Sequence, residues 1–593
     1  MRSPRGTNPL EPGEVLTLGA LALLAGLHLL GWLSSALASV LAGHGWQPLP
    51  VRDVTVLLVQ WPHHLDEPAL AFPPRTRQLL PGPADLWLAL LLASALILLA
   101  GAALTRLATR LTSTHPPGRS GTGQGLASRG EVRRHLGERA VRARTPQTRP
   151  SLTGRHYRTT QVGLSLGHDT RTGQPIWGSV EDSYLILGPP RSGKGVHLII
   201  PRTVDAPGAV LVTSTRPDTL RATQTRRAQH GPVLAFDPQQ LAADTPRLRW
   251  SPTRGCTDPL VAINRARALA AGAHLAKGTT SDGEFWTAMA AAVLRAYLHA
   301  AALSERPIRD VLAWAARPQD PTPVRILRQD STAAPGWAEE LAAQAGADPR
   351  QRDSVWAGVR RAVDSLADPR VLAACSPHPR EQFDPSAFLE AHGTLYLLGS
   401  TGAQLSVAPL ITALVEDLLD TSRARAASGP AGRLDPPLLL LLDEAANIAP
   451  IPTLPNLLAD GGGAGITTVA VLQSLAQARA RWGEAGADAM WDAATIKVVL
   501  GGLAHAEDLT RISRLAGDVD HPTLTRSHGA AGSNRTISTQ RLPALPLEQI
   551  RCLPTGHALV LGRHNAPVLV RLTPWWQHPD TRPAGRSRRW NSR

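Results

Sequence analysis

Cysteine and lysine are scarce in this sequence, and each shortage excludes something. The three cysteines, Cys256, Cys375 and Cys552, are odd in number, far apart and in no Cys-x-x-Cys pair. That excludes a disulfide-stapled scaffold and a cysteine-rich zinc module. Only three of the 62 basic residues are lysines, Lys194, Lys277 and Lys497. Arginine abundance of this kind follows codon bias and says little; a retained lysine says more. Net charge is also short where the bulk of the chain lies. The total is +15, yet residues 161–570 sum to only +1. Residues 105–160 hold twelve arginines against Glu131 and Glu138, and residues 571–593 hold six against Asp580. A uniformly basic nucleic-acid coat is therefore excluded. With 593 residues, 43% of them apolar and 18% charged, wholesale disorder is excluded too, and two or three domains are expected.

Two stretches lack charge altogether. Val15–Ala42 runs for 28 residues without one, and Leu86–Thr105 is closed by Arg106. Each is long enough for a spanning helix, which needs about 20 apolar residues. The alternative for the first is a cleaved signal peptide, with Ala36-Leu37-Ala38 as a mimic of a cleavage site; its apolar run is too long for that. The loop 43–83 carries three arginines and the segment after the second span carries twelve. The positive-inside rule then puts 105–593 in the cytoplasm and makes 43–83 the external loop, a multi-pass cell (inner) membrane protein. The basic segment serves topology first, with contact to anionic headgroups or DNA as further readings. Residues 1–110 thus form a membrane anchor, spans at about 15–42 and 86–105, and 111–160 a basic cytoplasmic linker.

Beyond the linker, short apolar runs recur between Gly, Pro and Asp: Tyr184–Leu187, Ala209–Thr213, Val233–Phe236, Thr394–Leu398, Leu438–Leu442, Ile466–Leu472, Ile496–Leu500 and Ala558–Leu561. They lack polar alternation, as strands buried on both faces do, and helical patterns separate most of them. The fold class expected is α/β, a parallel, doubly wound sheet. Strand signals stop across 261–380, a stretch rich in Ala, Arg and Leu at helical spacing, read as an all-α insertion. Residues 161–260 and 381–570 are then two parts of one domain, and 571–593 a basic tail.

Gly188-Pro-Pro-Arg-Ser-Gly193-Lys194-Gly195 follows the first of these strands and opens an apolar helix at Val196. Glycines let backbone N–H groups turn inward around an anion, the helix N-terminus adds its positive end, and Lys194 reaches the β/γ phosphates of ATP. Gly188, Pro189, Pro190, Arg191, Ser192, Gly193, Lys194, Gly195 and Val196 are the expected nucleotide-binding residues. Gly195 stands where a Ser or Thr usually ligates Mg2+. The run Leu438–Leu442 ends in Asp443-Glu444. Asp443 is expected near Mg2+, directly or through water, and Glu444 beside the attacking water. Gln473, ending Ile466–Leu472, is either a γ-phosphate or lytic-water contact or a polar strand cap.

Together with the two spans, these motifs resemble the type IV coupling proteins of conjugation, the TraG/TraD-like family. The likeness extends to Asp205-Ala-Pro-Gly-Ala-Val-Leu-Val-Thr-Ser-Thr-Arg-Pro-Asp, Phe236-Asp-Pro, Glu284-Phe-Trp, Leu442-Asp-Glu-Ala-Ala-Asn-Ile, Leu472-Gln-Ser-Leu-Ala-Gln and Leu553-Pro-Thr-Gly-His-Ala-Leu-Val-Leu, over about residues 125–565. The resemblance implies a RecA-like P-loop ATPase with an all-α insertion, assembled as a homo-hexamer. It also implies transfer of relaxase-bound single-stranded DNA, or protein, to a type IV secretion channel. Oligomeric motors also supply an arginine to the neighbouring subunit. None lies between Asp443 and Gln473, where Gly461-Gly-Gly463 stands; Arg511, Arg514, Arg535 and Arg541 are the substitutes. Two other readings stay open: an FtsK-like double-stranded DNA translocase, and an ATP-binding membrane receptor or adaptor without motor activity.

Overall fold

The computed structural model describes residues 12–64, 66–72, 74, 77, 83–111, 125–238, 240–242, 245–273, 280–399, 404–429, 431–529 and 532–577. The chain divides into two compact units, 1–120 and 121–593. The first is helical: Pro12–Leu41, Val51–Gln60 and Pro83–Leu111. Among the described residues one window, Leu24–Leu41, is long and apolar enough to cross a membrane; the apolar part of the other long helix, Asp85–Gly101, is shorter. A small core of Ala38, Leu49, Val54, Leu57, Phe72, Leu86 and Ala89 holds these helices together. Leu91, Leu98 and Leu99 lie outside it, each about 70% exposed.

The second unit is built on an eleven-stranded sheet. Its strands are β1 (Gly163–Asp169), β2 (Pro175–Ser179), β3 (Tyr184–Leu187), β4 (Val210–Ser214), β5 (Val233–Phe236), β6 (Thr394–Leu398), β7 (Leu438–Leu442), β8 (Ile466–Leu472), β9 (Ile496–Leu500), β12 (His557–Gly562) and β13 (Val568–Arg571). β10 (Asp518–Gly529) and β11 (Gly532–Pro543) form a separate hairpin. The sheet order is β2-β1-β13-β12-β9-β3-β8-β7-β4-β6-β5. From β9 to β5 all seven strands are parallel. Every residue of β3, β4, β6, β7 and β8 is buried. Successive side chains divide between two cores, one on each face: Leu185 and Leu187 on one, Tyr184 and Ile186 on the other. That two-sided burial is why these strands read as continuous apolar runs.

The uniformly parallel sheet expected from the sequence needs correction at one edge. β12 pairs antiparallel with β9, and β13, β1 and β2 continue antiparallel. For the β12–β13 pair the physical reason lies in chain length. Only residues 563–567 join β12 to β13, enough for a hairpin and too few for a parallel crossover.

Between β5 and β6 the chain forms helices and no sheet strand among the described residues, starting with Pro259–Gly272 and Thr280–Leu303 and ending with Pro385–Glu390. Gly272 lets the first of these approach the helix Gln404–Ser428 closely: a Cβ there would sit 2.4 Å from the Cα of Pro409. A buried cluster fixes the join. Asp417 accepts from Trp250 Nε1 at 2.8 Å and pairs with Arg265 at 2.7 Å, while the Arg265 guanidinium lies over the Trp250 ring.

Candidate functional site

Three neighbouring parallel strands end side by side. In the ladders Leu187 pairs with Leu472, and Leu442 with Ala470, so β3, β8 and β7 release their chains at one edge of the sheet. Each strand runs directly into a motif: β3 into the glycine loop, β8 into Gln473, β7 into Asp443-Glu444. The carboxyl edge of a parallel sheet is where α/β proteins bind ligands.

The loop 188–195 is fixed to its neighbours. The Gly188 N–H donates to the Leu472 carbonyl at 2.9 Å. Gly193 has φ +85°, and a Cβ there would meet His197 Nδ1 at 2.8 Å, so glycine is required. After Lys194 the chain is helical, a π-turn over Gly195–Ile199 running into Ile200–Asp205. His197 Nδ1 lies 3.0 Å from the Gly193 carbonyl. Burial holds the imidazole below its ordinary pKa, against the Gly193 bond and with help from Arg202 and His557.

Lys194, Asp443, Glu444 and Gln473 all meet. Lys194 Nζ is 2.9 Å from Glu444 Oε1 and 3.5 Å from Asp443 Oδ1. Gln473 Nε2 donates to both Glu444 oxygens, at 3.0 and 2.8 Å. Asn447 Nδ2 donates to Oε2 at 3.0 Å. Glu444 itself has a left-handed backbone, φ 55° and ψ 42°, at the start of the one-turn helix Ala445–Ile448. For a non-glycine residue this conformation costs on the order of 1 kcal/mol and concentrates at functional sites. Burial pushes the Asp443 carboxyl above the usual carboxylate range; Lys194 opposes this and Glu444 adds to it. Thr213 Oγ1 donates to the Asp443 carbonyl at 2.6 Å, anchoring the turn from β4.

The residues fit a nucleoside phosphate with magnesium. Ser192 Oγ is buried in the loop without a hydrogen-bond partner, a donor left for an anion. Among the described residues no group of three or more acidic, His or Cys side chains would hold a metal alone. Magnesium suits that arrangement, because it binds through one or two carboxylates plus the phosphates themselves. Around Gly195 a Cβ would meet nothing within 4 Å, so the missing hydroxyl leaves open space.

Among the described side chains, Arg511, Arg514 and Arg541 do not join this cluster. Arg511 is held by Asp488 at 2.6 Å and Asp492 at 3.7 Å and lies over the Trp491 ring. Arg514 and Arg541 are exposed. Arg535 stands opposite Arg526 in the hairpin register; its side chain lies outside the described residues. Two contributors were not singled out in the sequence, Asn447 and His197. Asn447 sits three residues after Glu444, the spacing that returns a side chain to the same helix face.

A glycine loop after β3, its lysine, and an Asp-Glu pair at the end of β7, two strands away across β8, have the arrangement of a P-loop nucleotide site. Comparisons with known proteins narrow the class. Residues 437–555 match the family described as "TraM recognition site of TraD and TraG". Protein VirD4 of Agrobacterium fabrum is 23% identical over 414 residues, covering 65% of this chain and 58% of the relative; Protein VirD4 of Rhizobium rhizogenes is 23% identical over the same length, with 65% and 57% covered. The chain thus spans less than two thirds of these relatives. Among solved structures, the bacterial conjugative coupling protein TrwBdeltaN70 superposes with a TM-score of 0.52 at 19% identity, covering 70% of this chain and 91% of that one. TrwB in complex with ADP and Mg2+ gives 0.52 at 19% identity, covering 69% and 89%. The likeness to these structures is one of fold, and the resemblance to the type IV coupling proteins drawn from the motifs stands.

Proposed function

We propose that this chain is a membrane-anchored ATPase that couples ATP hydrolysis to recruitment and translocation of DNA, single-stranded and relaxase-bound, or of protein into a type IV secretion or conjugation channel. The carrying observation is the Lys194–Glu444–Gln473 cluster at the carboxyl edge of the sheet, in a fold shared with coupling proteins. On this reading the loop amides and Lys194 hold the phosphates. Asp443 would hold Mg2+, directly or through water, and the metal would offset phosphate charge. Glu444 takes the proton of the attacking water, and Gln473 with Asn447 holds Glu444 in place. Lys194 must leave its carboxylate partners for the phosphates as ATP enters, so binding exchanges one ion pair for another.

Two N-terminal spans anchor the chain in the cell (inner) membrane; the exposed leucines of the second long helix support that assignment. The helices between β5 and β6 form the all-α domain, inserted between the two parts of the motor domain. A homo-hexamer aligns each nucleotide site with a neighbour, where Arg511, Arg514, Arg535 or Arg541 is available. The matched family's description supports relaxosome proteins as partners.

The test is ATP-driven displacement of streptavidin from biotin-tagged single-stranded DNA by the full chain. Displacement that needs ATP hydrolysis is expected. Hydrolysis without displacement would leave an ATPase that does not translocate DNA.

Gly195→Ser is a second expected result. The new Cβ enters open space, and serine is a better helix former than glycine by about 0.5 kcal/mol. The hydroxyl restores a magnesium ligand, so the Mg2+ concentration at half-maximal hydrolysis should fall several-fold with no loss of fold. A magnesium titration of both proteins reads this directly; an unchanged midpoint places the metal away from residue 195.

A further inference from the structure

Pro189-Pro190-Arg191-Ser192 makes a tight turn inside the glycine loop. The Ser192 N–H donates to the Pro189 carbonyl at 3.3 Å, Pro190 occupies the second position and Arg191 the third, with φ 65°. That is the pattern of a type II turn, whose third position calls for glycine because only glycine takes φ above zero without cost. Five non-glycine residues in the described chain have such a φ; two of them, Arg191 and Glu444, belong to this site. The turn is also braced. Pro189 lies against Gly502, where a Cβ would come within 3.1 Å of its ring. So an arginine occupies a position where the backbone disfavours it.

Nothing within the fold rewards that side chain. Arg191 is exposed, and among the described residues no hydrogen bond or ion pair holds it. The charge balance of the site explains its presence. Lys194 is shared between Asp443 and Glu444, so the one cation is already divided between two acidic groups. A polyphosphate brings several more negative charges. The segment between Asp443 and Gln473 has no arginine to offset them.

We propose that Arg191 is a phosphate-binding residue of this site, a second cation on the loop whose guanidinium engages the polyphosphate of the bound nucleoside triphosphate in the same subunit. The inference rests on the nucleotide-site reading above. Backbone strain accepted at residue 191 is offset only when the anion is present. Arginine suits the task because its planar fork donates two hydrogen bonds to phosphate oxygens, where lysine offers a point charge.

Glycine substitution separates the two roles an exposed arginine can have. Arg191→Gly relieves the turn, so the variant's thermal midpoint should equal or exceed that of the wild type. Its affinity for a non-hydrolysable ATP analogue with Mg2+ should nevertheless fall about tenfold to a hundredfold, the range of a charge-assisted bond. Arg191→Lys should recover part of that loss. The measurement is analogue binding to full-length wild type, Arg191→Gly, Arg191→Lys and Lys194→Ala, each with its melting curve. Wild-type affinity in Arg191→Gly, beside a clear loss in Lys194→Ala, overturns the inference and leaves the site standing. Wild-type affinity in Lys194→Ala overturns the site itself and the inference with it.

Discussion

Glu444→Gln protein should bind ATP with magnesium and turn it over at least about a hundredfold more slowly than wild type, the usual worth of a positioned general base. The side chain's surroundings define the effect. Oε1 receives Lys194 and Gln473, and Oε2 receives Gln473 and Asn447, so the carboxylate is an acceptor on every side. An amide keeps the shape but turns one of those oxygens into a donor facing donors. It also removes a negative charge beside the phosphates, so nucleotide affinity should hold or rise. Binding of a fluorescent ATP analogue and phosphate release, measured on the same sample, separate the two effects. Hydrolysis at the wild-type rate would remove Glu444 from the base role.

Much of this site is visible in the sequence because its strands are buried on both faces. Leu438–Leu442 has no polar alternation, so the position where the apolar run meets Asp443 marks the strand end. The same holds for Tyr184–Leu187 before Gly188 and for Ile466–Leu472 before Gln473. Which strands lie next to one another is not a local property. That β8 sits between β3 and β7, bringing Gln473 onto Glu444 rather than capping its own strand alone, emerges only from the ladders. Asn447 is part of the Leu442-Asp-Glu-Ala-Ala-Asn-Ile motif, but its role appears only once Glu444 adopts a left-handed backbone and starts a helical turn.

Other elements left weak signals. β1 buries Leu164 and Leu166, but the glycines at 163 and 167 are buried as well and the register shifts between Ser165 and His168, so no clean alternation marks it. The hairpin Asp518–Pro543 pairs Thr525 with Thr536 and Arg526 with Arg535, and no apolar run marks either strand. An antiparallel sheet edge at β12 was invisible because Ala558–Leu561 is as apolar as the parallel strands. For β1 and β12 burial controlled what the sequence revealed, and strand direction did not.

Lys194→Ala carries the largest expected effect. Lys194 is the one cation in the loop that meets Asp443 and Glu444, and its ammonium also has to offset phosphate charge as the γ-phosphate departs. Removing a single preorganised electrostatic contact of this kind costs about a hundredfold to a thousandfold in turnover. Here the loss should be larger, because alanine also leaves two neighbouring carboxylates facing an anion. Lys194 is the foremost influence opposing the rise of the Asp443 carboxyl, so without it that carboxyl should move further up and take a proton more readily. The variant should therefore bind ATP weakly as well as fail to hydrolyse it.

The most direct measurement is phosphate release from ATP by full-length wild type and Lys194→Ala side by side, both folded, at saturating Mg2+ with single-stranded DNA present. Steady release by the wild type and none above background by the variant is the predicted result. Equal rates in the two proteins, or no release from either, would contradict a hydrolytic nucleotide site at Lys194.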